Sequence, residues 1–209
     1  MVKKRAARKR QNAVRIIGGE WRGMRLDFPA STPVKPTPDR VRETLFNWLA
    51  NDLSGARCLD LFAGTGALGF EALSRGAEEV WFVERDPALL ASLDKHAKRL
   101  NAKAKIVGEE VTNFLADPKE DCFDIVFLDP PYEMSLMTLV DLLPVWFGRS
   151  ALIYVERPST EGMSSVSRLG KVWRENLLAR KFLGKLGSVF WGGLLLLALK
   201  VILCILLLS

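Results

Sequence analysis

The stretch Leu59-Asp60-Leu61-Phe62-Ala63-Gly64-Thr65-Gly66-Ala67-Leu68-Gly69 decides the fold. An apolar run ends on an acid, three glycines follow in the spacing G-x-G-x-x-G, and an apolar segment resumes behind them. This is the sequence form of a strand, a tight turn and a helix, the opening unit of an α/β sheet that binds a nucleoside-containing ligand. Around it the same alternation continues. Residues 58–62, 80–84, 105–107, 123–128 and 152–156 have the composition of short strands, and 67–75, 87–100, 111–115 and 136–143 that of helices. Continuously apolar strands are buried on both faces, so the pattern predicts a Rossmann-like, doubly wound and mostly parallel α/β sheet. Ligands of such sheets bind beyond the carboxyl ends of the strands, which makes the strand-ending residues the candidates for chemistry.

Asp60 bears on which ligand the glycine turn takes. A carboxylate four residues before the first glycine would face the pyrophosphate of NAD, whereas it suits a ligand with a positive ammonium group. Glu84, twenty residues after Gly64, is placed to accept hydrogen bonds from ribose hydroxyls. S-adenosylmethionine meets both demands; an NAD-dependent oxidoreductase is the alternative. The run 123–128 ends in Asp129-Pro130-Pro131-Tyr132. Two prolines fix the backbone and remove two N–H donors, which leaves the Asp129 carboxylate and Pro130 carbonyl as an acceptor-rich rim beside an aromatic ring. An exocyclic amine would donate both protons to that rim, with its lone pair aimed at an incoming methyl group, so positioning rather than acid–base chemistry would do most of the work. Stacking of Tyr132 on an extruded base would add about 1–3 kcal/mol. The same acceptors suit the N2 amine of guanine and the N6 amine of adenine.

With 209 residues, 49% of them apolar and 26% charged, the chain fits one domain with appendages, and a collagen, a disordered tail or a multi-pass membrane protein is excluded. The net charge of +6 is polarised: residues 1–25 hold nine Lys and Arg against one acid, whereas 26–188 hold twenty against twenty-three. Such a basic arm, from Lys3 to Arg25, predicts binding to a polyanion by counterion release. Residues 15–28 suggest a hairpin, 29–38 a Pro-rich linker, and Thr37 as cap with Pro38 in the first turn predicts a helix to about Ala50. Val41, Leu45, Trp48 and Leu49 recur on its apolar face, and Arg40, Arg42, Glu43 and Asn47 on its polar face. Cys58, Cys122 and Cys204 lack metal-ligand spacing and indicate a reducing, cytoplasmic setting with no metal. His96, in a polar helical stretch, is expected at the surface, which leaves no histidine-based triad. Residues 189–208 form an apolar run with Lys200 as its one charge, long enough to span a membrane. A lysine near the middle would cost about 2.5–3.5 kcal/mol there, so the favoured reading is a terminus packed on the protein, or an accident of reading frame, with no membrane partner.

Four blocks together resemble the RsmD family: Arg15-Ile-Ile-Gly-Gly-Glu-Trp-Arg-Gly23, Pro36-Thr-Pro-Asp-Arg-Val-Arg-Glu-Thr-Leu-Phe-Asn-Trp-Leu49, Leu59 to Gly69, and Asp129 to Tyr132. The resemblance runs from Arg15 to Glu156 and extends more weakly to a closing hairpin at 173–190. It implies a class I methyltransferase that uses S-adenosylmethionine to modify the N2 amine of one guanine in 16S rRNA of the small ribosomal subunit, with no DNA substrate; a monomer is expected. By the same resemblance Asp60 and the turn from Gly64 to Gly66 hold the methionine part of the cofactor, and Phe62 and Ala63 are further cofactor contacts. Glu84 lies at its ribose, Arg85 is a further cofactor contact, and Arg42 and Glu43 lie on a helix over the pocket. Asp129, Pro130, Pro131 and Tyr132 take the guanine, Asp129 also bordering the cofactor. The position near the adenine amine aligns with Glu110, and Glu109 competes for it. Arg15, Trp21, Arg22, Arg25 and Arg40 are the candidate RNA contacts. The implied organisation is an arm and hairpin over 1–36, the methyltransferase domain over 37–190 and an atypical tail over 191–209. A rival of a different class is a non-catalytic, membrane-tethered RNA-binding protein.

Overall fold

The computed structural model describes residues 11–118, 122–131, 133–140, 142–158 and 198–204. Strand β1 (Gln11–Arg15) pairs antiparallel with β2 (Arg25–Pro29), Val14 opposite Leu26, and forms the expected hairpin. Leu26 and Phe28 are buried while their neighbours are not, the alternation of a ribbon with one covered face. Helix α1 (Asp39–Trp48) follows the Pro-rich linker. The main unit then runs β3 (Arg57–Asp60), α2 (Ala67–Ser74), β4 (Glu79–Glu84), α3 (Pro87–Leu100), β5 (Ala104–Gly108), α4 (Val111–Ala116), β6 (Phe123–Leu128), α5 (Met137–Val140), a 3₁₀ turn (Pro144–Trp146), β7 (Phe147–Pro158) and β8 (Ala198–Cys204).

The sheet order is β5-β4-β3-β6-β7-β8, with β8 antiparallel to β7 at the edge and the other pairs parallel. Successive strands are laid down outward from β3 in one direction and then from β6 in the other. The order therefore reverses between β3 and β6, and ligands of such sheets bind in the crevice beyond the carboxyl ends at that reversal. Side chains alternate across the sheet. Cys58, Ile125, Phe127 and Tyr154 pack with residues of the hairpin, α1, α2 and α3, whereas Leu59, Val126 and Ile153 pack with α4, α5 and Trp146. Carried to the strand ends, this period of two puts Asp60, Asp129 and Glu156 on the first face. Register confirms the neighbourhood: Asp60 lies beside Phe127, Phe127 beside Tyr154, and Leu128 beside Val155, one step before Asp129 and Glu156.

The hairpin is part of this body, because Val14, Ile16 and Leu26 share one core with the helices of the sheet. Its anchor is Glu71, a fully buried acid on α2. One oxygen accepts from the Ile17 amide at 2.8 Å and from Arg42 at 3.3 Å, the other from the Gly18 amide at 2.8 Å and from Arg75 at 2.7 Å. Beside it Gly19, at φ +77°, lies so close to the Ser74 carbonyl that a Cβ there would stand 1.7 Å from its oxygen.

Four local expectations change on folding. Arg42 turns inward from the polar face of α1, since Glu71 and Asp39 neutralise it there. Trp48, counted with the apolar face, remains 45% exposed. Thr37 does not cap α1; the helix starts after Pro38, and the Thr37 hydroxyl donates instead to Glu156 at 3.4 Å. His96 is buried rather than superficial, with Nε2 2.8 Å from the Asp27 carbonyl oxygen, because β2 covers that side of α3. Of the apolar tail, residues 198–204 add β8 to the sheet edge. No helix among the described residues is long and apolar enough to cross a membrane. Residues 3–10 of the basic arm and the hairpin expected at 173–190 lie outside the described residues.

Replacing Glu71 by Ala leaves Arg42 buried with Asp39 as its one remaining acidic partner and frees two amides of the hairpin. Loss of one partner of a buried pair costs about 3–5 kcal/mol. Urea unfolding of the Glu71→Ala variant should show a loss of that size, with faster proteolysis in the hairpin; a change below about 1 kcal/mol would contradict the anchoring role.

Candidate active site

The turn after β3 wraps the reversal of strand order. Gly64 and Gly66 sit at φ +52° and +76°, where side-chain-bearing residues are strained, and a Cβ on Gly66 would meet Phe70 and Leu93 at 2.6 and 2.7 Å. Glu84, at the end of β4, braces the turn. Its Oε2 accepts from the Gly64 amide at 2.8 Å, and its Oε1 from the Arg85 and Asp86 amides at 2.8 and 2.9 Å. Asp86 in turn caps α3 through the Ala88 and Leu89 amides. Phe62 is half-buried and Ala63 buried in the same turn.

Asp60 is buried at the base of this turn and accepts from the Gly69 amide at 3.1 Å. Burial pushes its carboxyl up to about 7; the Gly69 N–H opposes that rise, and the negative charges of Asp129 and Glu84 add to it. Asp129, half-buried at the end of β6, is followed by buried Pro130 and exposed Pro131, while Tyr132 lies outside the described residues. On the next strand Tyr154 is buried and its hydroxyl donates to Glu156 Oε2 at 2.8 Å. Burial together with the charges of Glu156 and Asp129 pushes the Tyr154 phenol far above its ordinary range, which keeps it a donor.

Three carboxylates thus surround the glycine turn. Two phosphates would add like charge, whereas a ligand carrying an ammonium and a sulfonium would relieve it, so these residues fit S-adenosylmethionine better than NAD. Beyond β4 and β5, Arg85 bridges to Glu110 at 2.6 Å, which brings those two candidates together at an exposed edge; Glu109 is half-buried beside them. Arg42, expected on a helix over the pocket, is fully buried, its nitrogens donating to the Thr37 and Arg15 carbonyls and to Asp39 and Glu71, and its neighbour Glu43 is exposed.

Among the candidate RNA contacts, Arg15, Arg22, Arg25 and Arg40 are exposed, with Arg15 paired to Asp39 at 2.7 Å. Trp21 is half-buried against the core, its amide donating to Ser74 Oγ at 2.9 Å, and so anchors the hairpin. Sequence reasoning gave no role to Glu71, Tyr154 or Glu156. A signal existed for two of them: Glu71 is an acid inside an apolar helix, and Glu156 ends a strand as Asp60, Glu84 and Asp129 do.

A mostly parallel sheet with this strand order, a glycine turn after its first strand and acids at the reversal define a class I methyltransferase. A family model described as "Conserved hypothetical protein 95" matches residues 14–182. The ribosomal RNA small subunit methyltransferase D of Escherichia coli K12 is 45% identical over 168 residues, 78% of this chain and 84% of that protein. Its namesake from Haemophilus influenzae is 45% identical over 150 residues, covering 68% and 78%. A solved structure described as "Putative methyltransferase yhhF from Escherichia coli" superposes with a TM-score of 0.66 at 45% identity, covering 72% of this chain and 84% of that one. The chain belongs to this family, the RsmD family, and is a methyltransferase.

Because Asp60 titrates near 7 when folded and near 3.8 otherwise, the folded protein holds a proton that the unfolded chain releases across that interval. Stability without ligand should therefore fall as pH rises towards 7. Asp60→Asn removes the charge, so its advantage over the wild type in urea unfolding should widen from pH 5 to pH 8. An advantage independent of pH would refute this account of the buried acid.

Proposed function

We propose that the protein transfers a methyl group from S-adenosylmethionine to the N2 amine of a guanine in 16S rRNA, acting in the cytoplasm as a monomer on the small ribosomal subunit or its assembling precursor. The observation that carries this reading is the convergence of Asp60 and Asp129 at the reversal of strand order, with Pro130 beside them. The names of the E. coli and H. influenzae relatives supply the ribosomal substrate class. The polarised charge supports it: exposed arginines on the hairpin and α1 suit sequence-independent phosphate contacts, while base recognition falls to the strand ends.

When bound, S-adenosylmethionine supplies an electrophilic methyl group. Asp60 and the turn at Gly64 and Gly66 would hold its amino-acid part, Glu84 a ribose hydroxyl, and Arg85 with Glu110 the adenine side. Three backbone amides already fix the Glu84 carboxylate, so it offers a preset acceptor with little further ordering to undergo. Asp129 and the Pro130 carbonyl would each take one amine proton and so turn the nitrogen lone pair away from the rim. Restricting the amine to that orientation is where most of the rate enhancement arises, because no strong base is needed before the bond forms. The proton leaves the product afterwards towards the Asp129 carboxylate and water.

Labelled S-adenosylmethionine offered with small subunits, naked rRNA, tRNA and duplex DNA should mark the ribosomal RNA as N2-methylguanine. Label recovered only as N6-methyladenine would overturn the reading. Asp129→Ala should lower transfer at least about 100-fold while cofactor affinity changes less than about threefold; equal loss of both would contradict the role given to Asp129.

A further inference from the structure

We propose that Glu156 is the residue that makes this site select guanine over adenine, by accepting the N1–H of the base whose N2 amine is held by Asp129 and the Pro130 carbonyl. The proposal rests on the guanine reading above and adds a specificity device to it. Its basis is the juxtaposition of two carboxylates at adjacent strand ends. The register of β6 and β7 pairs Leu128 with Val155, and the alternation of side chains puts Asp129 and Glu156 on one face, one step further on. Neighbouring strands stand about 4.8 Å apart, a spacing within reach of two adjacent atoms on one edge of a purine.

Glu156 is held in a fixed attitude. The hydroxyls of Tyr154 and Thr37, from the same strand and from the linker before α1, both donate to its Oε2. Two buried residues thus direct their hydroxyls, at 2.8 and 3.4 Å, to one oxygen of the carboxylate that ends β7. An acid so braced is preorganised to accept from a fixed direction. Guanine presents N1–H and the N2 amine side by side, a donor for each carboxylate. Adenine presents its amine next to an N1 lone pair, which would meet Glu156 as acceptor against acceptor. Asp129 and Pro130 alone accept either amine equally; the second acid breaks the tie by penalising the wrong base.

The test uses the full chain and rRNA assembled by ligation with guanine or 2-aminopurine at the target position. 2-Aminopurine keeps the N2 amine, lacks the O6 carbonyl and presents a lone pair in place of N1–H, so the change of the ratio between wild type and variant, not the ratio alone, reports on Glu156. Wild-type protein should prefer guanine by about 10–100-fold in kcat/KM, the discrimination expected of a site built around one buried hydrogen bond. Glu156→Gln, whose amide pairs with either base, should lower that ratio at least tenfold while cofactor affinity stays within threefold. Tyr154→Phe, which leaves the carboxylate but removes its brace, should move the ratio in the same direction by less, and it decides the matter if Glu156→Gln does not fold. Were Glu156 only a support of the sheet edge, where it stands opposite Lys200 of β8 in the register, its loss would lower the melting temperature and the overall rate but not the ratio. An unchanged ratio overturns this proposal and leaves the methylation reading intact. A wild-type protein that forms no N2-methylguanine overturns both.

Discussion

One buried carboxylate ties the parts of this molecule together. Glu71, in the middle of α2, accepts from two amides of the hairpin loop and from two guanidinium groups, Arg42 of α1 and Arg75 of its own helix. Such a charge is tolerable in the interior only when fully paired, so the hairpin, α1 and α2 are mutually required. The dependence extends to the crevice. Arg42 also donates to the Thr37 carbonyl at 3.1 Å, and the Thr37 hydroxyl reaches Glu156 at the end of β7. A continuous polar path thus runs from the N-terminal hairpin, through the helix over the sheet, to Glu156 at the carboxyl end of β7.

The crevice follows the opposite rule. Around Asp60 the charges are of one sign, with Asp129 and Glu84 raising the cost of a carboxyl already penalised by burial. A chain selected for stability alone would not gather three acids at one point. Under the proposed function a cationic cofactor and an amine donor would relieve that repulsion on arrival, and stability given up in the ligand-free protein would be turned into selectivity for what binds. The glycines belong to the same logic: the turn has to pass close to Phe70 and Leu93, and no side chain fits at Gly66.

Much of the frame is legible in the sequence because strands and helices carry their own periodicity. The run 123–128 and helix 87–100 fall where the apolar pattern puts them, and Asp60, Glu84 and Asp129 end their strands as anticipated. Less legible are the residues whose partners lie far along the chain. Arg42 has the look of a solvated helix face until Glu71, 29 residues on, is brought beside it, and His96 looks superficial until β2 covers it, 69 residues away from Asp27. Thr37 has the local chemistry of a helix cap, yet a residue 119 positions later takes its hydroxyl.

By itself the sequence determined the alternating α/β order, the glycine turn, the acids that end the strands and the concentration of positive charge at the N-terminus. Each is a local property, fixed by side-chain period, backbone freedom at glycine and proline, or net charge. Tertiary structure alone decided which of those acids meet. The reversal of strand order brings Asp60 beside the β6 end, register sets Asp129 next to Glu156, and the fold turns the apolar segment 198–204 into an edge strand of the sheet. Strand pairing selects neighbours by backbone hydrogen bonds and shared burial, neither of which is written in the separation of residues along the chain.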